Sequence, residues 1–263
     1  MDARADERIA IRSAEEIARI REACLVVHDV LAELVEAAVP GTTTGDLDRL
    51  ARARTRARGA EPAFLGYQGY PAAVCVSVNE EVVHGIPSGR RVLREGDVVG
   101  LDFGAVLDGF YGDSAFTVPV GRVGEEARRL LAVARGALER GVAAARAGAT
   151  LGDVGAAIEG HVGAGGMSVV RDFVGHGIGR RLHEPPRVPN FGRAGTGARL
   201  RPGMVLAIEP MVNAGGPEVA MQADRWTAVT ADRRLSAHFE HTVAVTENGP
   251  EILTFRPGGL WGP

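Results

Sequence analysis

Residues 97–118 read DVVGLDFGAVLDGFYGDSAFTV, two strand-like runs on either side of Asp108-Gly109. An Asp-Gly pair between such runs is a strong local signal for a hairpin with a two-residue turn. In that hairpin Asp102 lies opposite Ala115, so Asp102 and Asp113 become diagonal neighbours on one face. The sequence therefore predicts that this hairpin brings two carboxylates within reach of a shared ion.

Two aspartates on one face of a strand pair need a compensating charge. Aspartate is depleted in strands, and like charges on neighbouring strands repel. A cation between Asp102 and Asp113 would remove that repulsion. The alternative is that one of them is a turn residue, as Asp beside Gly often is. That alternative explains Asp108 well and Asp102 badly.

Two glutamates extend the same pattern in the second half of the chain. Glu209 ends the apolar part of the predicted strand segment 204–211, and Glu240 lies within the predicted long strand 236–246. A carboxylate in an apolar strand is costly to bury unless it is paired or coordinated. A salt bridge to an arginine is an alternative for either glutamate alone. Four such acids in one chain favour cations instead.

One histidine has the setting of a ligand. His176 lies between two glycines, which leave its imidazole free to reach a ligand; a phosphate loop would need a lysine that this stretch lacks. Four carboxylates and one imidazole favour two Mn, Fe or Co ions over a structural zinc. His241 should point away from Glu240. Surface or packing roles are expected for three others: His28, His161 and His238.

The whole chain has the composition of an ordinary globular protein. Its 263 residues are 45% hydrophobic and carry a net charge of -3, so no basic excess indicates nucleic-acid binding. Only two cysteines occur, which favours a reducing compartment. The N-terminus lacks the apolar core of a signal peptide, and no run is long enough to span a membrane. These features predict a cytoplasmic location.

The order of elements suggests two similar α+β halves. Helices are predicted from Ser13, which forms a capping box with Glu16, over 46–58 and over 125–147. The sequence Thr-Thr-Gly-Asp-Leu at 43–47 resembles Thr-Leu-Gly-Asp-Val at 150–154, although chance could explain five residues. The predicted domain organisation is an N-terminal tail at 1–12, one catalytic domain at 13–255 with repeats at 13–120 and 121–250, and a C-terminal tail at 256–263.

Several longer motifs then identify a family. Over residues 11–255 the chain resembles the short bacterial type I methionine aminopeptidases, of the creatinase-like pita-bread family. The resemblance implies an α+β fold with two pseudo-symmetric halves and a central curved antiparallel sheet flanked by helices. The motifs that carry it are Gly66-Tyr-Gln-Gly-Tyr-Pro71, Val78-Asn-Glu-Glu-Val-Val-His-Gly-Ile-Pro87, Asp102 with Asp113, Gly175-His-Gly-Ile-Gly179, Leu182-His-Glu-Pro185, Ile208-Glu-Pro210 and Phe239-Glu-His-Thr242.

The resemblance also implies a role for each matching residue. Two divalent ions (Co, Mn, Fe or Zn) would hold a water or hydroxide that attacks the scissile carbonyl, with Glu209 accepting the proton. His84 and His183 would contact the substrate amide and stabilise the tetrahedral intermediate. Gln68 and Phe64 depart from residues common in the family, which affects the pocket rim. The implied metal ligands are Asp102, Asp113, His176, Glu209 and Glu240, and the implied methionine pocket comprises Phe64, Tyr67, Tyr70, Cys75, Leu182 and Trp226.

The function expected from this resemblance is removal of the initiator methionine from nascent chains whose second residue is small. Expected partners are the nascent chain and, transiently, the ribosome; we expect a monomer with no nucleic-acid specificity and no membrane contact. An Xaa-Pro aminopeptidase or prolidase would share all five ligands but usually carries an added N-terminal domain. A non-catalytic binding module on this fold, or a metallophosphatase on an unrelated fold, would also account for part of the pattern.

Overall fold

The computed structural model describes residues 9–261, which form four α-helices and fifteen strands. Every strand pair among the described residues is antiparallel. The helices are α1 Ala14–Ala37, α2 Thr44–Ala57, α3 Glu125–Ala144 and α4 Leu151–Ala164. The strands are β1 Glu61–Pro62, β2 Cys75–Val78, β3 Glu81–Val83, β4 Val98–Leu107, β5 Phe110–Pro119, β6 Ser168–Val169, β7 Gly175–Gly177, β8 Glu184–Val188, β9 Val205–Ile208, β10 Met211–Asn213, β11 Val219–Met221, β12 Ala228–Thr230, β13 Ser236–His238, β14 His241–Thr246 and β15 Gly249–Ile252.

Three of the four helices begin with a capping box, of which the one at α1 was predicted from the sequence. The Ser13 side chain accepts a hydrogen bond from the backbone of Glu16, whose carboxylate accepts one in return, so the predicted capping box of α1 is confirmed. Thr43 caps α2 and Thr150 caps α4 by the same reciprocal arrangement. Each threonine also forms an isolated β-bridge to a later loop. The two halves therefore share this local structure, as the sequence repeat suggests.

The β4–β5 hairpin has the predicted register. Asp102 lies opposite Ala115, and Asp113 lies opposite Gly104, two residues from Asp102 along β4. Asp108 and Gly109, the two turn residues, have φ angles of 49° and 77°. A type I′ turn requires positive φ at both positions, and Asp-Gly is one of its preferred sequences. The diagonal placement of the two aspartates is therefore confirmed.

The prediction of uninterrupted strands over 204–211 and 236–246 is wrong. The first divides into β9 and β10 at Glu209, and the second divides into β13 and β14 before His241. Strand β9 pairs with β14, β10 pairs with β13, and the register is the same on both sides of the gap. Glu209 therefore faces Glu240, and Pro210 has no N–H to continue the ladder. We call these four strands the broken strand pair.

The predicted tails have described residues in packed positions. Residues 1–8 and 262–263 of those tails lie outside the described residues. The backbone N–H of Arg12 donates to Gly203 O over 2.7 Å. Trp261 is buried and packs against Phe116 and His241, with ring centroids 4.6 and 3.9 Å away. Within residues 9–261 the structure contains no helix long and apolar enough to cross a membrane.

Candidate active site

Hydrogen bonds join the β4–β5 hairpin to the broken strand pair along β5. Asp113 N donates to the Thr242 hydroxyl over 3.2 Å, and that hydroxyl donates to Asp113 O over 2.8 Å. Glu240 N donates to Ala115 O over 2.9 Å, and the Ser114 hydroxyl donates to Glu240 O over 2.7 Å. Glu240 thus takes its backbone partners from β5 where its own ladder is interrupted. These bonds fix the acids of both strand pairs around one point.

We call Asp102, Asp113, His176, Glu209 and Glu240 the acid cluster. Their side chains provide the donor atoms of a cation site. Asp113, His176 and Glu240 each offer a ligand atom, and these atoms lie within 4.8 Å of one another. His176 Nε2 is also 3.5 Å from a carboxylate oxygen of Glu209. Among the described residues no hydrogen-bond partner exists for one buried oxygen each of Asp102, Asp113 and Glu240. Buried carboxylate oxygens are normally satisfied, so these residues fit a divalent cation.

Burial and mutual repulsion make the acids hard to ionise in the absence of a cation. Burial raises the pKa of Asp102 to about 7 and that of Glu209 to about 8. The pKa values of Asp113 and Glu240 are raised well above the ordinary range, by burial first and then by neighbouring carboxylates. A divalent cation would reverse this effect, since it stabilises the ionised form. Cation binding and proton release are therefore coupled at this cluster.

His176 is held in the form that binds metals. Burial, and then the neighbouring His183, lower the pKa of His176 to about 3, so its ring is neutral at physiological pH. Its Nδ1 lies 3.0 Å from Gly177 O. A carbonyl oxygen only accepts hydrogen bonds, so Nδ1 carries the proton and the Nε2 lone pair faces the acids.

A cavity of about 300 Å³ opens above the acid cluster. All five predicted metal ligands line it, at its polar end. The other predicted site residues also line it, together with Gln68. The structure therefore brings every predicted site residue to one cavity, including residues far apart in the sequence. The eight predicted residues outside the ligand set are Phe64, Tyr67, Tyr70, Cys75, His84, Leu182, His183 and Trp226.

Two histidines stand on the cavity wall beside the acids. His183 Nδ1 lies 2.8 Å from the Tyr67 hydroxyl, and its ring centroid is 4.2 Å from that of His176. His84 packs edge-on against Phe173 at 5.3 Å between ring centroids, and its φ is 61°. A positive φ is uncommon for a residue other than glycine, and such strain clusters at functional sites. Burial, and then His238, lower the pKa of His84 to about 4.

His238 is the site residue that the sequence analysis missed. It was expected to lie next to a turn with a surface or packing role, but it is a buried residue of β13. Its Nε2 lies 3.6 Å from Glu209 and has no hydrogen-bond partner among residues 9–261. Burial lowers the pKa of His238, and when its ring is protonated its charge favours ionisation of Asp102. Strand alternation could have found it, because residues two apart share a face, and Glu240 is two residues further on.

Buried acids, a neutral imidazole and two further histidines around an apolar cavity define a metal-dependent hydrolase as the class of protein. Residues 18–247 match metallopeptidase family M24. The chain belongs to this family.

Similar proteins of known structure or name share nearly the whole chain. It is 50% identical over 246 residues to a methionine aminopeptidase of Clostridium acetobutylicum, covering 94% of this chain and 98% of that protein. A solved methionine aminopeptidase from Thermotoga maritima is 47% identical with a TM-score of 0.93, covering 95% of this chain and all of that one (100%). Prolidase from Pyrococcus furiosus is 26% identical with a TM-score of 0.76; the match covers 95% of this chain but 66% of the prolidase. The predicted α+β pita-bread fold is confirmed.

Proposed function

We propose that this chain is a methionine aminopeptidase that removes the initiator methionine from nascent polypeptides whose second residue is small. The observation that carries the proposal is the single cavity whose polar end holds the acids and His176 and whose remaining wall is largely apolar and aromatic. The similarity to methionine aminopeptidases over 94% of the chain supports the same activity. The weaker match to prolidase, which leaves a third of that protein uncovered, favours this activity over cleavage before proline.

The metal ligands in this proposal are the five residues of the acid cluster. Unpartnered oxygens on Asp102, Asp113 and Glu240 support two divalent ions, of Co, Mn, Fe or Zn, rather than a set of salt bridges. No arginine or lysine within the described residues forms an ion pair with any of the four acids. When bound, the ions would supply Lewis acidity to a carbonyl oxygen and to water.

The side chains around the cluster would handle the protons. In the proposal a carboxylate oxygen of Glu209 accepts the proton of the attacking water, because Glu209 lines the cavity and a bound cation would keep its carboxylate ionised. The Tyr67 hydroxyl can donate to His183 Nδ1, which leaves the proton on Nε2. That N–H can then donate to the developing oxyanion. His84 would contact the substrate amide from the facing wall.

The apolar wall would bind the methionine side chain. Its proposed residues include Tyr70, whose hydroxyl donates to Gly85 O over 2.9 Å and whose ring packs edge-on against Trp226. The pocket is therefore held rigid by buried contacts. Burial raises the pKa of the Cys75 thiol well above the ordinary range, so the thiol is a neutral contact rather than a nucleophile. A soft, unbranched thioether suits such a pocket.

A peptide panel tests the proposal. Purified protein loaded with Mn²⁺ or Co²⁺ should release methionine from Met-Ala-Ser and Met-Gly-Ser and leave Met-Leu-Ser nearly intact. Comparable cleavage of Ala-Pro peptides would favour the prolidase alternative. Stoichiometric metal binding with no cleavage of any peptide would favour a binding module. The proposal further places the enzyme in the cytoplasm as a monomer that meets the ribosome transiently, since nascent chains emerge there.

A further inference from the structure

The hairpin that carries both His176 and His183 is anchored by a buried ion pair. Strand β7 contains His176, and strand β8 begins at Glu184. The loop between them, residues 178–183, ends at His183. Glu184 pairs with Arg12, which lies 172 positions earlier in the chain. The two side chains are only 11% and 6% exposed. Solvent therefore screens this pair far less than an ordinary surface salt bridge.

The Glu184 carboxylate also closes the loop. Its Oε1 accepts backbone hydrogen bonds from Arg180 and Arg181 over 2.8 and 2.9 Å, while its Oε2 accepts from Arg12. The guanidinium lies so close to Gly179 that a Cβ there would be 2.8 Å from Arg12 Nε. The Glu184 carboxylate thus holds the loop backbone at Arg180 and Arg181, just before His183, and Arg12 holds the carboxylate.

His183 depends on this loop for its place in the cavity. Its side chain lies 2.8 Å from the Tyr67 hydroxyl and packs edge-on against the His176 ring. A buried Glu184 without its cation would be an uncompensated charge, and the loop would rearrange to solvate it. Small displacements of a group that stabilises developing charge have large effects on rate.

We propose that the Arg12–Glu184 ion pair positions His183 for the reaction. This inference rests on the proposed function, in which His183 contacts the substrate. Arg12 is a positioning residue, because it contacts Glu184, Glu16 and the Gly203 backbone and does not line the cavity. The ion pair should therefore influence turnover through His183, with little effect on metal binding.

Steady-state kinetics with Mn²⁺ and Met-Ala-Ser test this directly. We expect Arg12→Met to lower kcat at least about tenfold while KM changes less than about threefold. Arg12→Lys keeps the cation and should restore kcat to within about threefold. The matched control is Arg21→Met, since Arg21 and Glu251 also join α1 to the second half, but at 33% and 50% exposure. That control should keep native kcat.

Combining Arg12→Met with a second substitution distinguishes an effect through His183 from a general loss of stability. In a His183→Ala protein, Arg12→Met should cause no further loss of kcat, because the group it positions is gone. A further loss of the full size, or native kcat in Arg12→Met alone, would overturn the proposal. If Arg12→Met fails to fold, Glu184→Gln serves in its place, since it keeps an oxygen for the loop N–H groups and loses only the charge.

Histidine ring NMR provides a readout independent of activity. Signals of His183, assigned by comparison with His183→Gln, should shift or multiply in metal-free Arg12→Met, while those of His161 in α4 stay in place. Unchanged His183 signals would contradict the proposal. If the native protein releases no methionine, the proposed function fails, while these spectra still decide whether the ion pair positions His183.

Discussion

The β4–β5 hairpin and the broken strand pair each bring two acids to the same point, but by different constructions. In the hairpin the ladder is continuous and Asp102 and Asp113 are diagonal neighbours. In the broken pair Glu209 and Glu240 face each other directly, and the ladder is interrupted there. Directly opposed like charges lie closer than diagonal ones and destabilise the pairing more. A strand pair can therefore keep its hydrogen bonds with diagonal acids and loses some with opposed acids.

The largest expected effect is on Mn²⁺ affinity. It tests whether the β4–β5 hairpin and the broken strand pair contribute ligands to one metal centre. We expect Asp113→Asn, from the hairpin, and Glu240→Gln, from the broken pair, each to weaken Mn²⁺ binding at least about a hundredfold. Methionine release should fall with it. Isothermal titration at fixed pH gives both affinities, and Asp108→Asn in the exposed hairpin turn is the control. Loss in one variant with native affinity in the other would mean that the two strand pairs act separately.

The second prediction concerns pH and the metal-free protein. The folded pKa values of Asp102 and Glu209, about 7 and about 8, exceed those of unfolded acids near 4, so the folded state holds extra protons. Stability must then fall as pH rises towards those values. Buried histidines such as His176 have lowered pKa values and act oppositely, mainly near and below the unfolded value of about 6.5.

Above pH 6.5 the four acids with raised pKa values outweigh the residual titration of these histidines and set the trend. We expect the metal-free protein to lose at least about 2 kcal/mol of stability between pH 6.5 and 8, the effect of one extra proton. Urea unfolding in EDTA at several pH values measures it. Saturating Mn²⁺ should abolish the loss because the ions keep the acids charged. Rising stability of the metal-free protein over this range would contradict the pKa values.

The β4–β5 hairpin could be predicted from the sequence more fully than the broken strand pair. The hairpin is local: Asp108-Gly109 sets the turn, and the turn sets which residues face each other. The broken pair joins strands separated by residues 214–235. Pro210 is a local signal for its interruption, but no local pattern indicates that Glu209 lies opposite Glu240. His238 lies two residues before Glu240, so strand alternation indicates the face it occupies, but its contact with Glu209 on the other strand is not local.

The residues of the cavity wall could not be predicted from local sequence patterns either. Its wall residues were expected from resemblance to known motifs, and hydrophobic periodicity alone would not have selected them. The Arg12–Glu184 pair spans 172 positions and has no sequence signature. Helix caps, in contrast, could be predicted from four residues each, because both hydrogen bonds of a capping box lie within one turn.

A smaller effect on Mn²⁺ affinity is expected when His238 is replaced. This residue belongs to the broken strand pair and not to the hairpin. Its Nε2 lies 3.6 Å from Glu209 and has no hydrogen-bond partner within residues 9–261, and its ring when protonated favours ionised Asp102. We expect His238→Leu to weaken Mn²⁺ binding about tenfold, as loss of a polar group next to a ligand typically does. His238→Gln keeps a donor and should lose less. Native affinity in the leucine variant would show that the hairpin aspartates need no support from β13.

The smallest expected effect is on stability, when the capping threonine of a helix is replaced in either half of the chain. Thr43→Ala and Thr150→Ala should each destabilise the protein by about 1 kcal/mol, because each removes a side-chain acceptor at a helix N-terminus. Thermal unfolding of the metal-free protein at pH 6.5 measures both. Similar losses with unchanged Mn²⁺ affinity would support the equivalence of the halves. A loss of stability in only one of the two variants would mean that the halves resemble each other in sequence but not in the energetic role of this residue.

Anomalous diffraction from crystals of the Mn²⁺-loaded protein is the most direct measurement on the convergence of the two strand pairs. We predict two anomalous peaks between β5 and the broken strand pair, within bonding distance of Asp102, Asp113, His176, Glu209 and Glu240. Peaks elsewhere on the chain, or none at saturating Mn²⁺, would contradict the assignment of these five residues to one metal centre.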